Sequence, residues 1–313
     1  MRKINNFPIN DYKQLFFDIF HKNNKLYLIC PVYSNIPRNL SDIKIYNNNI
    51  KIKLVNRISK IKYEPTEILI YEFNTNQKIN NINVEYQNIK KKFKLEHIKT
   101  SINNTLSITT LFKDDFKLIN IFYNYYKKQG VNKFYMYYNG ILNDEKKKLY
   151  KLPGIVLIQW NFKYWNNSGC FKHHAQLGQM HHAIYRYGIE NNEYMIFCDL
   201  DEYMHIPNNT LIKFINRNKS IDQIGFCNYW CNTLYNKIPP SFPNKFFIGE
   251  KHNFKIRSKC IYKLKSIKTI NIHHDDSFNI QNPKKICKFY LFHFFNWCKK
   301  KRKYNLKKIF KIK

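Results

Sequence analysis

Carboxylates, glycines and prolines are all scarce in this chain: 21 Asp+Glu stand against 54 Lys+Arg, with 8 Gly and 10 Pro among 313 residues. The glycines form no GxGxxG, no GxxxxGK[ST] and no GxSxG, which removes the simplest dinucleotide, P-loop and serine-hydrolase readings. No stretch approaches the ~20 apolar residues of a spanning helix. The start, Met-Arg-Lys-Ile-Asn-Asn, lacks the apolar core of an export signal. The expectation is a soluble, cytoplasmic protein with no transmembrane segment. The 8 cysteines form no CxxC pair and are irregularly spaced. They are expected to be reduced thiols, several of them buried, and not a zinc site or a disulfide framework.

What is abundant is Lys, Asn, Ile, Tyr and Phe. Hydrophobic residues make up 44% and aromatics 17%, ample for a packed core. The formal charge of +33 suggests an anionic partner. The lysines run along the whole chain, however, as A+T-rich codons deliver them, and no basic element alternates with stacking aromatics. No specific nucleic-acid partner is expected. The field still favours anionic ligands such as a nucleotide diphosphate.

Residues 1–103 alternate short β-like runs with Asn-rich turns, as in 25–30, 50–55 and 67–73, and read as a β-rich N-terminal extension. From 104 the rhythm changes. A strand over 106–112 precedes a helical pattern with Phe116, Ile119, Phe122, Tyr123 and Tyr126 in register, closed by Gly130. Strands over 131–138 and 155–160, a helix over about 172–187 and a strand from Tyr194 follow. Strand, helix, strand, strand, helix, strand predicts an α/β domain over 104–298 with a mainly parallel sheet flanked by helices. Further strands are expected at 224–230, within 261–273 and within 288–297, with 232–260 irregular. Residues 299–313 form a basic tail with weak helical spacing.

The densest signal is Tyr-Met-Ile-Phe-Cys-Asp-Leu-Asp-Glu-Tyr over 194–203. An apolar run reads as a buried strand. Asp199, Asp201 and Glu202 fall at its carboxyl end, the edge where α/β sheets bind ligands. Asp-x-Asp there is a means of holding a hard divalent cation against a diphosphate, although a strand also simply needs a polar stop. His173, His174, His181 and His182 share one predicted helix. The cross-pair His174 and His181 is seven residues apart, roughly 10 Å along the axis, too far for one ion. These read as surface or packing residues. His273 and His293 each end or follow a strand-like run and are candidates to join a metal held by Asp201.

Several blocks together resemble glycosyltransferase family 92, whose catalytic domain has the GT-A fold. The best is the helix opening Ala175-Gln176 and closing Tyr185-Arg186-Tyr187-Gly188, followed by Asp199-Leu-Asp-Glu-Tyr203. Residues 111–115, 130–138, 257–261, 272–273 and His293 are similar to other family blocks, so the resemblance covers about 105–297. It implies a GT-A-like sheet and transfer of a sugar, commonly galactose, from a UDP-sugar to a glycan or glycoprotein acceptor, with Mn²⁺ (or Mg²⁺) and inversion at the anomeric carbon. By resemblance, Asp199 meets the donor's ribose or uridine and Asp201 the metal. Lys113, Asp115 and Asn139 lie around the nucleotide, Gln176 sits under the donor, and Arg257 and Lys259 face the diphosphate. The sequence departs from the family pattern at Ile121-Phe122 and Tyr126.

An inverting transfer needs a carboxylate to deprotonate the acceptor hydroxyl. Glu250, Asp275 and Asp276 are candidates that spacing alone leaves unranked. The reading is therefore a metal-dependent glycosyltransferase. The alternative is a non-catalytic basic protein that binds nucleic acid or glycan on an inactive fold of the same kind.

Overall fold

The computed structural model describes residues 4–9, 13–32, 39–48, 50–58, 66–72, 79–98, 104–144, 151–164, 174–189, 191–234, 237–254, 257–273, 279–297, 306 and 308–312. The N-terminal β-runs form β1 (Phe7–Pro8), β2 (Gln14–Phe16), β3 (Asp18–Lys22), β4 (Lys25–Pro31), β5 (Ile43–Asn47), β6 (Ile50–Lys51), β7 (Lys53–Ile58), β8 (Thr66–Glu72), β9 (Asn81–Tyr86) and β10 (Ile89–Lys94). They make two antiparallel sheets, β3-β4-β8-β7 and β10-β9-β5-β6, beside the β1–β2 ribbon. Period-two alternation drives this: Ile43, Ile45, Ile82 and Val84 turn inward while Lys44, Asn81 and Asn83 stay in water.

The expected alternation follows as β11 (Asn104–Phe112), α1 (Ile119–Lys128), β12 (Lys133–Tyr138), β13 (Ile155–Gln159), α2 (His174–His182) and β14 (Asn192–Phe197). Next come β15 (Glu202–His205), α3 (Leu211–Arg217), β16 (Gln223–Asn232), β17 (Lys245–Lys251), β18 (Lys259–Lys263), β19 (Lys285–His293) and β20 (Lys308–Lys311). The main sheet runs β13-β12-β11-β14-β18-β16-β17-β20, with β19 pairing both β15 and β16.

The expectation of a mainly parallel sheet is corrected: the sheet is mixed. It is parallel across β13, β12, β11 and β14. From β14 outward it is antiparallel except for β16 against β19. Parallel neighbours need a long crossover, and the helices α1 and α2 supply one only in the first half. Two smaller corrections follow. Residues 232–260 hold a strand, β17, whose Phe246 and Ile248 alternate into the core. The basic tail closes on β17 as β20 and not as a helix. Helix α3 was not foreseen, although Thr210 caps it by accepting from the Lys213 N–H.

The β3-β4-β8-β7 sheet does not stand apart. Phe17, Phe20, Ile29 and Ile68 share one core with Ala175, Met180 and Ile184 of the α2 segment and with Tyr137, Trp160 and Phe197 of the main sheet. Gly178 is required there, because a Cβ would strike the Phe17 ring. After His182 the helix widens into a π-turn over Ala183–Gly188, an inserted geometry common at constrained sites. Its Arg186 Nη1 donates to Asp18 Oδ2 at 2.6 Å, beside His182 Nε2 at 2.7 Å, and pairs also with Glu96. His181 and His182 are thus buried packing residues; His173 lies outside the described residues.

Candidate active site

The parallel register sets the site. Thr109 pairs Phe197 and Phe112 pairs Tyr138, so β11, β12 and β14 end along one edge. Lys113, Asp115, Asn139 and Asp199 follow those ends directly, as expected of the carboxyl edge of such a sheet. Asn139 is buried, its N–H donating to Phe112 O and its amide to Trp160 O and Phe162 O. Lys113 is exposed, and Asp115 opens the turn into α1.

The three acids of the motif are treated differently. Asp199 is the open one, its side chain 39% exposed. Its Oδ1 accepts from Gln176 Nε2 at 3.1 Å, and the Tyr164 hydroxyl holds Gln176 in turn at 2.7 Å. Its Oδ2 meets Lys259 Nζ at 3.1 Å. Glu202 is buried, accepts the Asp199 N–H at 2.8 Å and lies 3.4 Å from the same ammonium. Asp201 Oδ2 faces His293 Nε2 at 3.3 Å, while His293 Nδ1 lies 3.2 Å from Asn228 Nδ2 and 3.8 Å from Glu202 Oε1. The Glu202↔His293 register of β15 and β19 brings that histidine in across about 90 residues of chain.

Burial pushes the Glu202 carboxyl up to about 7, with Lys259 pulling against it and Asp199 adding to it. Burial alone would neutralise Lys259, but Asp199 and Glu202 overcome it and raise its pKa. Burial likewise opposes charge on His293, and Asp201 outweighs it, so this pKa is also raised.

Of the other predicted residues, Arg257 adopts φ +57 and lays its guanidinium over Trp230, 5.0 Å from the ring centroid. Trp230 pairs His293 across β16 and β19, so this cation lies beside the cluster. The His273 carbonyl accepts from Ser258 Oγ, next to Lys259; no described contact joins its ring to Asp201. Glu250 is exposed on β17, and no described contact joins it to the cluster. Asp275 and Asp276 lie outside the described residues. The reading from sequence missed Tyr164, Asn228 and Trp230, which no spacing rule reaches. Tyr126, named from sequence as a helix position and a departure from the family pattern, donates its hydroxyl to the Glu202 carbonyl at 2.9 Å and sits 3.4 Å from Cys198. The departures at Ile121, Phe122 and Tyr126 are therefore core positions under the motif loop.

The fold is thus α/β, with Asp115, Asp199 and Asp201 following the carboxyl ends of its parallel strands, the edge where such sheets commonly bind ligands. The sequence profile of glycosyltransferase family 92 matches residues 102–311, and the chain belongs to that family. A comparison with curated proteins finds no match. Among solved structures, the mannosyltransferase Ktr4p from S. cerevisiae overlaps 41% of this chain and 40% of its own at 8% identity and a TM-score of 0.27. Its complex with GDP overlaps 45% and 47% at 12% identity and 0.26. An amylomaltase from Corynebacterium glutamicum overlaps 40% and 21% at 8% identity and 0.18. This chain thus spans under half the length of those proteins, and the family assignment rests on the profile. No helix among the described residues is long and apolar enough to cross a membrane.

Proposed function

We propose that the protein is a glycosyltransferase that moves a hexosyl group, galactose in the family resemblance, from a UDP-sugar to a glycan or glycoprotein hydroxyl with inversion. The observation that carries this is the division of labour within one motif: Asp199 is oriented by Gln176 and Lys259, and Asp201 by His293. Asp199, propped by Gln176 from below, serves the ribose side of the donor. Lys113, Asp115 and Asn139 line the same edge. Arg257, stacked on Trp230, is placed to meet the diphosphate.

The donor chemistry of Asp201 and His293 fits a Mn²⁺ or Mg²⁺ ion. Ions that serve diphosphates take only one or two protein ligands and fill the rest with phosphate and water. Among the described residues no three His, Cys, Asp or Glu side chains gather as a metal-binding group. When bound, the ion would neutralise charge developing on the leaving diphosphate. In the transfer the acceptor oxygen bonds to the anomeric carbon, the bond to the diphosphate oxygen breaks, and a base takes the hydroxyl proton. Glu202 is buried and doubly held, so its part is to fix the loop and not to deprotonate the acceptor.

The test is thermal-shift and turnover measurement with a panel of UDP- and GDP-sugars, with and without Mn²⁺. Stabilisation by a UDP-sugar only with metal, together with release of UDP, supports the reading. Metal-dependent binding without release would indicate a binding module on an inactive fold. Preference for a GDP-sugar would overturn the donor assignment.

A further inference from the structure

We propose that the solvent face of the β10-β9-β5-β6 sheet is a binding surface for an anionic polysaccharide, separate from the transfer site and independent of it. The inner face of this sheet is accounted for: Ile43, Ile45, Ile82, Val84, Tyr86 and Phe93 fill the N-terminal core. The outer face has no such duty. The register places Lys90, Glu85 and Lys44 in one cross-strand row, and Lys92, Asn83, Tyr46 and Lys51 in the next. Lys94 and Asn81 continue the face in a third row.

All of these lysines are exposed. Among the described residues the carboxylate of this face is Glu85, held by Lys90 at 2.9 Å and opposite Lys44 in the register, while Lys51, Lys92 and Lys94 have no carboxylate paired opposite them. Lysines are dense here beyond the average of a chain already carrying 54 Lys+Arg in 313 residues. A groove of about 500 Å³ runs over the face and reaches its β10 edge, lined by Tyr46, Asn48, Asn83, Glu85 and Lys90 to Lys92.

The geometry selects the ligand class. Alternate residues on one strand are about 6.7 Å apart and β10 lies about 9.6 Å from β5, so the ammonium groups form a lattice and not a single pocket. A lattice suits a polymer with repeated charges better than one phosphate. Tyr46 at the centre offers one aromatic face to a sugar ring, and the Asn48 and Asn83 amides offer paired donors and acceptors for hydroxyls. Single-stranded nucleic acid is held by successive stacking rings along a groove, and this face has one. A sulfated or uronate-bearing glycan is the ligand that fits.

The test uses the full chain and a size-defined sulfated uronate oligosaccharide, with a neutral oligosaccharide and a homopolymeric single-stranded DNA as comparators. Lys44→Glu/Lys92→Glu/Lys94→Glu is compared with Lys127→Glu/Lys213→Glu/Lys268→Glu, which removes the same charge from exposed lysines elsewhere. The expected result is salt-dependent binding of the anionic oligosaccharide that falls at least tenfold in the first triple variant and less than threefold in the second. Tyr46→Ala should weaken it severalfold at unchanged net charge, and both triple variants should keep the wild-type unfolding temperature to within a few degrees. Equal losses in the two triple variants would mean that the overall charge alone attracts the ligand and would overturn the proposal. So would tighter binding of the DNA than of the oligosaccharide.

Discussion

The buried ammonium of Lys259 stands 3.1 Å from the Oδ2 of Asp199, the most open carboxylate of the motif. The same nitrogen lies 3.4 Å from Glu202. One cation therefore ties the strand that follows the Arg257 loop to both ends of the Asp-x-Asp-Glu turn. The acids of the site are held apart in role because one is paired with a lysine and another with a histidine.

Replacing Lys259 with Met should leave Glu202 buried without its counter-ion. Removing one partner of a buried pair costs about 3–5 kcal/mol, and the loss should appear in chemical denaturation. Lys259→Arg should recover part of the stability. A Met variant as stable as the wild type would show that the pair does not hold the turn.

Asp201→Asn should fold normally and lose Mn²⁺-dependent donor binding, with turnover reduced by about a hundredfold or more. Manganese EPR reads the binding without relying on activity. His293→Ala should act in the same direction but less strongly, since it removes one ligand and leaves the carboxylate. Unchanged manganese binding in Asp201→Asn would remove this residue from the metal role.

Asp18→Asn should destabilise the protein by about 3–5 kcal/mol, because Arg186 would remain buried with only Glu96 as a charged partner. Despite the cost of burial, Arg186 and His182 keep the Asp18 carboxyl ionised below its ordinary pKa. Gly178→Ala should cost about 1–3 kcal/mol by overpacking against Phe17. Thermal unfolding should show a single transition for both variants, since the β3-β4-β8-β7 sheet and α2 share a core. Two separated transitions would contradict that shared core.

Stability should fall on the acid side through histidines that resist protonation. Burial and the neighbouring His97 lower the pKa of His21 to about 4, and burial also lowers that of His182 despite Asp18. A folded pKa below the unfolded value of about 6.5 means that the unfolded chain binds the extra proton first. The contribution is complete above pH 6.5 and is lost as pH falls toward 4. Glu202, raised by burial to about 7, works in the opposite sense: its share is present below about 4.5 and is lost as pH rises through 7. His21→Phe should flatten the acid limb of the stability profile between pH 6.5 and 4, read by denaturation at each pH.

The sequence by itself determined the local elements and the identity of the motif. Short apolar runs placed β11, β12, β13 and β14; helical spacing with a terminal Gly130 placed α1; and an apolar run ending in Asp199-Leu-Asp-Glu put acids at a sheet edge. These are short-range consequences of side-chain direction along a strand or helix, and so are visible in one dimension. Tertiary structure alone decided the rest. That Lys259 and His293 come to the acids depends on antiparallel partners for β14 and β15, and no spacing specifies which distant strand will pair. That the sheet is mixed follows from return connections that lack crossover helices. That Asp18 answers Arg186 follows from packing the β3-β4-β8-β7 sheet on α2, where a buried cation must find a carboxylate wherever the chain can bring one.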